Sequence, residues 1–311
     1  MARMMRSLPL LLVVGLGCGG SSSSDSPTPD AAAPPEDVGA GDVAVPGDVA
    51  TEDAKPKSDV PGPPLKPGNL RVSYVSADSY HVGDVQNAVV IAGFYDEVPN
   101  PSSSTSYVDG PCTVETVTFG EPNFKLEYHH AGKLTLAGGA VPVTLANGPA
   151  GYVAFQDQEH ALWQGGETLT FAATGGDIAG FDVQVTAPSH VTVTAPVLPM
   201  GSALPVPKTK DLAFAWTGAT AGEVVVRLAG PQVLPSPQTY VTCRFPSAAA
   251  SGGVPASALG QIALAGTGTL SVEAVSQALV DAGQWGTIDV TAVTRSLKPS
   301  KTPYLGTIDL Q

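Results

Sequence analysis

The chain has 311 residues and a formal net charge of −13, with only 14% charged and 6% aromatic side chains. A chain this acidic has no electrostatic drive toward nucleic acid, whose phosphates it would repel, and none toward anionic lipid headgroups. The charged share is well below the roughly 25% of ordinary soluble proteins; Thr, Gly, Ala and Val fill the gap, a composition suited to exposed β-structure.

The amino terminus carries Arg3 and Arg6, then an uncharged, mostly apolar run from Leu8 to Leu16, then Gly17-Cys18-Gly19-Gly20 and a row of serines. A basic start, a short apolar core and a small residue at the exit describe an export signal; the run is about half the roughly 20 apolar residues that a membrane-crossing helix needs. Val14-Gly15-Leu16-Gly17-Cys18 resembles the lipobox of bacterial lipoproteins, with Gly15 standing where that family usually has Leu, Val or Ile. The resemblance implies that residues 1–17 are removed as a signal peptide. It also implies that the thiol of Cys18 receives diacylglycerol and that its new amino terminus is acylated. Gly19 follows where an aspartate often retains such proteins in the inner membrane, so the expected address is the outer membrane, on its periplasmic or surface face.

Residues 18–68 are rich in Ser, Pro, Asp, Ala, Gly and Val and contain no aromatic residue; nine acids against Lys55, Lys57 and Lys66 give a charge of −6. Such a stretch cannot bury enough apolar surface to offset its chain entropy, so the expectation is a disordered tether. As a flexible coil it would reach on the order of 40 Å. Gly41-Asp42-Val43 and Gly47-Asp48-Val49 are low complexity within it. The remainder, from 69 on, has ten Lys and Arg against nineteen Asp and Glu, so membrane contact is expected through the lipid on Cys18 alone.

From there the pattern is all β. Phe124-Lys125-Leu126-Glu127-Tyr128 alternates apolar and charged residues. Leu134 and Leu136 repeat the alternation, as do Val141 to Leu145, Leu169 to Ala173 and Phe181 to Val185. It returns at Leu212 to Trp216, Val224 to Leu228, Val241 to Phe245, Leu270 to Ala274 and Ile288 to Ala292. Gly138-Gly139, Asn147-Gly148-Pro149, Gly165-Gly166, Gly175-Gly176-Asp177, Gly230-Pro231 and Ala282-Gly283 sit between these runs as turns. Ser257 to Ile262 is the one helix candidate. Many short strands with Gly-rich turns predict antiparallel sandwiches. The Pro-rich stretch Pro196 to Pro207 reads as a hinge, so two antiparallel β-sandwich domains are expected, 69–195 and 196–311, the second immunoglobulin- or fibronectin-like.

Asp211-Leu212-Ala213-Phe214-Ala215-Trp216 resembles the early strand of fibronectin type III domains, which implies a core role for Trp216. The whole also resembles the sandwich-bearing surface lipoproteins of predatory soil bacteria, the myxobacteria. Gly110-Pro111-Cys112, Ala131-Gly132-Lys133-Leu134 and Gly252 through Leu259 carry that resemblance. It implies a location and a fold, and no activity.

With Cys18 acylated, Cys112 and Cys243 remain in an oxidising compartment. A bridge between them would close a loop of about 130 residues, worth up to ~5 kcal/mol by loop-entropy reasoning, and would staple the two domains together. The alternative is two small buried hydrophobes, each in its own sheet, which suits Cys243 between Val241 and Phe245.

Chemistry-bearing motifs are few. His129-His130 looks like a metal pair, but neighbours on a strand point to opposite faces and cannot easily grip one ion. Asp157, Glu159 and His160 cluster before Trp163; they lack the spacing and turn glycine of a calcium loop and read as a solvated loop, with a weak case for ligand contact. Gly175-Gly176-Asp177 and Gly180 read as a tight turn, since no helix follows to make a phosphate cradle. No Gly-x-Ser-x-Gly elbow occurs. Trp163, Trp216 and Trp285 read as core; for Trp163, in a polar stretch, an exposed ligand platform is the alternative. No catalytic residue, metal site or cofactor is assigned. The leading expectation is a non-enzymatic binding or scaffold module for a protein or glycan ligand. A glycan-acting hydrolase using carboxylates among Asp157, Glu159, Asp177 and Asp182, or an accessory subunit of an envelope complex, are the alternatives.

Overall fold

The structure is a computed structural model that describes residues 70–82, 85–97, 104–118, 126–148, 151–218, 221–232, 237–300 and 302–311. The signal peptide, Cys18 and the tether lie outside these residues. All described residues fall in one compact unit, and the fold is all β. Among the described residues no helix is long and apolar enough to cross a membrane.

Two 13-residue strands open the fold, β1 (Leu70–Val82) and β2 (Val85–Glu97), antiparallel along their whole length. A hairpin of β3 (Ser104–Asp109) and β4 (Cys112–Val117) follows, then β5 (Leu126–Tyr128). Next come the short strands β6 (Leu134–Ala137), β7 (Val143–Leu145), β8 (Asn147–Gly148), β9 (Gly151–Tyr152) and β10 (Phe155–Asp157). β11 (Thr168–Ala173), β12 (Phe181–Thr186) and β13 (Thr192–Ala195) lead to β14 (Leu204–Val206) and β15 (Leu212–Thr217). β16 (Glu223–Ala229), β17 (Gln238–Pro246), β18 (Ser251–Val254) and a single turn α1 (Ala256–Leu259) precede β19 (Gly266–Asp281), β20 (Thr287–Arg295) and β21 (Leu305–Leu310).

Twelve of these strands form one large sheet with the path β10-β2-β1-β20-β19-β16-β17-β4-β3, to which β5, β21 and β14 add at the edges. Four more form the sheet β12-β11-β6-β7, three form β13-β15-β18, and β8 and β9 make a two-stranded ribbon. The 16-residue β19 is the spine: its first half pairs with β16 and β21, its second half with β20.

The strict period of two explains the layering. On β19 the even-numbered residues Leu270, Val272, Ala274 and Val280 are buried, in register with Val224, Val226 and Leu228 on one side and with Ile288 on the other. All of them therefore point to one face of the large sheet. That face carries two cores side by side. The sheet β12-β11-β6-β7 supplies Leu136, Phe171 and Phe181 against Val75, Val90, Phe94 and Val290. The sheet β13-β15-β18 supplies Val193, Phe214, Trp216 and Val254 against Val226, Val241, Val272 and Ile308. Full burial of each such side chain stabilises by about 1.5–3 kcal/mol. Buried polar residues, Ser276, Thr294 and Ser296, lie on β19, on β20 and just past it, between the two apolar sets.

The domain boundary expected between 195 and 196 does not divide the sheets. β1 pairs in parallel with β20, Val75 beside Val290, and β4 pairs with β17. Strands from both halves of the chain thus share one sheet. The Pro-rich stretch is a strap and not a hinge between separate bodies. Its β14 adds in parallel to β21, and Leu198 is buried over Gly306, where a Cβ would lie 2.9 Å from Leu198 Cδ1. The Tyr304 hydroxyl fixes the strap by donating to the Pro196 carbonyl at 2.6 Å.

Cys112 and Cys243 stand directly opposite each other on β4 and β17 and form a disulfide. The flanking ladder bond runs from Arg244 N–H to the Pro111 carbonyl, so the two are a non-hydrogen-bonded pair, the closer kind of antiparallel pair. The bridge joins adjacent strands of one sheet, with both cysteines fully buried, so the expectation of two unbridged cysteines in separate sheets falls, and the bridge staples no two separate domains.

Candidate functional site

β5 ends where the chain turns at His129-His130, and that turn lines an open depression. His129 N–H donates to the Phe94 carbonyl at 2.8 Å, extending the ladder by one bond. The two histidines then part to opposite sides, as neighbours on a strand do. His129 is buried; its ring meets Trp285 edge-on with centroids 4.9 Å apart, and its Nε2 lies 3.4 Å from Oδ2 of Asp96, itself buried. His130 stays partly exposed, with Nε2 3.4 Å from Asp177 Oδ2, and its backbone N–H donates to the same oxygen at 3.2 Å.

The glycine run before Asp177 makes this possible. Gly175 N–H donates to Ala131 O and Ile178 N–H to His130 O, so the loop clasps the β5–β6 turn. Gly176 lies so close that a Cβ would be 2.6 Å from His130 Nδ1. Beneath the turn the Tyr152 hydroxyl accepts from Ala131 N–H and donates to Gly132 O, at 2.8 and 2.6 Å. Burial first of all pushes that phenol up to about 12, which keeps it a donor at any physiological pH.

Tyr128, His129 and His130 on one side and Asn147, Gly148 and Gly151 of the β8–β9 ribbon on the other line an open depression. It offers an aromatic face, an amide, an imidazole and bare backbone. Among the described residues its lining contains no lysine or arginine. Among the described residues no group of three or more His, Cys, Asp or Glu is placed to hold a metal ion.

Of the residues singled out in the sequence, His129 and His130 line this depression and Asp177 holds its rim, whereas Asp157, Glu159, His160 and Trp163 sit elsewhere and serve structure. Asp157 accepts from Glu159 N–H at 2.7 Å and His160 N–H at 3.2 Å, and its other oxygen lies 3.0 Å from His160 Nδ1. The cluster is a self-capped turn closing β10. The Glu159 N–H bond, foremost, and the His160 contacts hold the Asp157 carboxyl below its usual range against a smaller opposing push from desolvation. Trp163 is not an exposed platform: it is fully buried, and its indole N–H donates to Thr294 Oγ1 at 2.9 Å, whose hydroxyl in turn donates to the Pro188 carbonyl at 3.0 Å. The polar stretch around Trp163 misleads because its neighbours are caps: Glu167 accepts from Gln164 and Gly165 N–H, and Leu162 N–H donates to Ser79. Of the carboxylates proposed for a hydrolase, Asp157 closes its own turn, Asp177 holds His130, and Asp182 lies on the exposed face of β12. Tyr128, Asn147 and Gly151 were legible only as strand and turn. The signal that could have marked them is the two glycines bracketing so short a ribbon.

The opposite face of the large sheet carries a different chemistry. Asp78 on β1 binds Arg295 Nε on β20 at 3.1 Å, Glu273 on β19 binds Arg227 on β16, and Glu223 on β16 binds Arg244 on β17 at 2.9 Å. Gln277 donates to Asp289 at 2.8 Å. Under this ionic layer Val225 is fully buried, in register with Arg244 on one side and Glu273 on the other. Desolvation dominates at Asp78 and raises its carboxyl to about 6 despite the pull of Arg295.

No family model matches the chain, and no curated protein matches it.

Proposed function

We propose that this chain is a bacterial lipoprotein, anchored through Cys18 in the outer membrane, whose β head is a non-enzymatic binding or scaffold module for a protein or a glycan. The anchor rests on the sequence: Arg3 and Arg6, the short apolar run and Cys18 after Gly17 agree with one another. The resemblance to the surface lipoproteins of myxobacteria points the same way.

The binding reading rests on the depression at Tyr128. The surface presents aromatic and uncharged polar groups to solvent there, and Asp157 and Asp177 are committed to turns. Loops and sheet edges held by a fixed scaffold are where recognition concentrates.

Mass spectrometry of the mature amino terminus tests the anchor. The expected result is a lipidated Cys18 as first residue; an unmodified Cys18 or cleavage elsewhere refutes it. A glycan and ester hydrolysis screen with the full chain tests the rest. No turnover is expected, whereas hydrolysis that disappears in Asp177→Asn would replace the binding reading with the hydrolase.

A further inference from the structure

Three tyrosines from three strands share the outer face of the large sheet beside the depression. Tyr95 on β2 and Tyr128 on β5 stand directly opposite each other, rings 6.0 Å apart and inclined at 60°. Tyr74 on β1 is opposite Gly93, two residues from Tyr95 and so on the same face. Its ring takes the space that a side chain at 93 would fill: a Cβ there would lie 2.6 Å from Tyr74 Cε1. The ring therefore lies across β2 and does not stand off the sheet. At the other end Tyr128 rests on Gly151, whose Cβ would be 3.2 Å from Tyr128 Cδ1 and whose φ of +93° suits glycine. Tyr128 nevertheless remains 42% exposed. Glycines under two of three rings leave a low aromatic shelf running into the depression, with Asn147 and His130 at its margin.

We infer that this shelf is a subsite for a neutral polysaccharide whose pyranose rings lie on Tyr74, Tyr95 and Tyr128. The inference rests on the binding-module reading and names its ligand class. A pyranose has an apolar C–H face and a rim of hydroxyls, and it packs on an aromatic ring bordered by groups that both donate and accept; rings inclined to one another suit successive pyranoses of a twisted chain. Tyrosine supplies the first and its own hydroxyl; the Asn147 amide supplies the second. Among the described residues the lining has no lysine or arginine to meet a phosphate or sulfate. The net charge of −13 disfavours an acidic polymer as well. The depression is open where a small-molecule pocket would enclose its ligand, which fits a chain lying across it. Burial, and after it the proximity of Tyr128, keeps the Tyr74 phenol above its usual range, so it meets the sugar as a neutral hydroxyl.

Native electrophoresis of the full chain through gels containing soluble β-glucan, galactomannan, mannan or xylan tests this. The expected result is retardation by at least one polymer, weakened about tenfold by Tyr128→Ala and measurably by Asn147→Ala. Tyr107→Ala, at an exposed tyrosine of β3 outside the shelf, should bind as the parent does. Tyr128→Phe keeps the ring and should keep most of the binding, which covers the case in which Tyr128→Ala fails to fold. Equal mobility of the parent in every gel, or retardation untouched by both Tyr128→Ala and Asn147→Ala, overturns the inference. A protein ligand bound equally by parent and Tyr128→Ala would overturn the sugar shelf while leaving the binding module standing; hydrolysis lost in Asp177→Asn would remove the module itself.

Discussion

The inner and outer faces of the large sheet are made by the same strands, yet they hold together by different physics. Along β16 the chain alternates Val224, Val226 and Leu228 inward with Glu223, Val225 and Arg227 outward. Inward, non-directional burial against two smaller sheets supplies the stability. Outward, the groups are ionic, directional and partly wet, and their worth depends on pH and salt. The fold is therefore secured from one side, which leaves the other free for tyrosines and ion pairs.

The inner face should therefore respond most to truncation. Trp163→Ala removes a fully buried indole and the donor to Thr294. A loss of about 3–5 kcal/mol is expected in urea unfolding. Trp163→Phe keeps most of the packing, loses only the hydrogen bond, and should cost about 1–2 kcal/mol. If both variants were as stable as the parent, the inner face would not be the main source of stability.

The disulfide lies on the same inner face. Cys112 and Cys243 are 131 residues apart in sequence, and the double substitution to Ala should cost about 2–5 kcal/mol, read as a lowered urea midpoint. An unchanged midpoint would mean that the β4–β17 ladder alone suffices there.

How much of this was legible follows from the same contrast. Alternation marked β6, β11, β12, β15, β16, β17 and β20, because each places large apolar residues inward at a period of two. It passed over β1 and β2, the longest pair. β1 turns Val75, Ala77 and Ser79 inward, too small and too mixed to stand out, and β2 reads as a continuous apolar run. It also split the chain at 196, because a proline strap and a hinge look alike in sequence and pairing between β1 and β20 leaves no local trace. The shelf was hidden for the same reason: Tyr74, Tyr95 and Tyr128 come from three separate strands, and glycines at 93 and 151 acquire meaning only once the rings lie over them. The core reading of Trp163 holds, and the alternative of an exposed platform falls because its polar neighbours are caps and not a solvated surface.

On the outer face the larger effect is one of pH. Asp78 titrates at about 6 in the folded chain against an ordinary 3.8. Between these values the folded state holds a proton that the unfolded state has released. Its contribution to stability is fully present below about pH 4, declines as pH rises to about 6, and is level above that. Asp78→Asn, neutral throughout, should lose that slope between pH 4 and 6 relative to the parent, measured as urea midpoints at matched pH. Parallel curves for the two proteins would show that Arg295, with Arg227 behind it, offsets the burial of Asp78 in full.

The smallest effect belongs to the ion pair at the β16–β17 end of that face. Arg244 and Glu223 are 2.9 Å apart with roughly a third and a half of their side chains exposed. Water therefore screens the pair, and its net worth should not exceed about 1 kcal/mol. Arg244 also stands opposite the fully buried Val225, so its aliphatic stem helps cover that side chain. Arg244→Met removes the charge and keeps the cover; Arg244→Ala removes both. If the outer face is held mainly by charge, the two variants should lose the same stability, and most of the loss should vanish in 1 M salt. If the apolar stem matters more, Arg244→Met should match the parent, and Arg244→Ala should lose stability that salt does not restore. The full burial of Val225 beneath an otherwise polar layer favours the second outcome, which would make even this face rest on a strip of buried hydrocarbon.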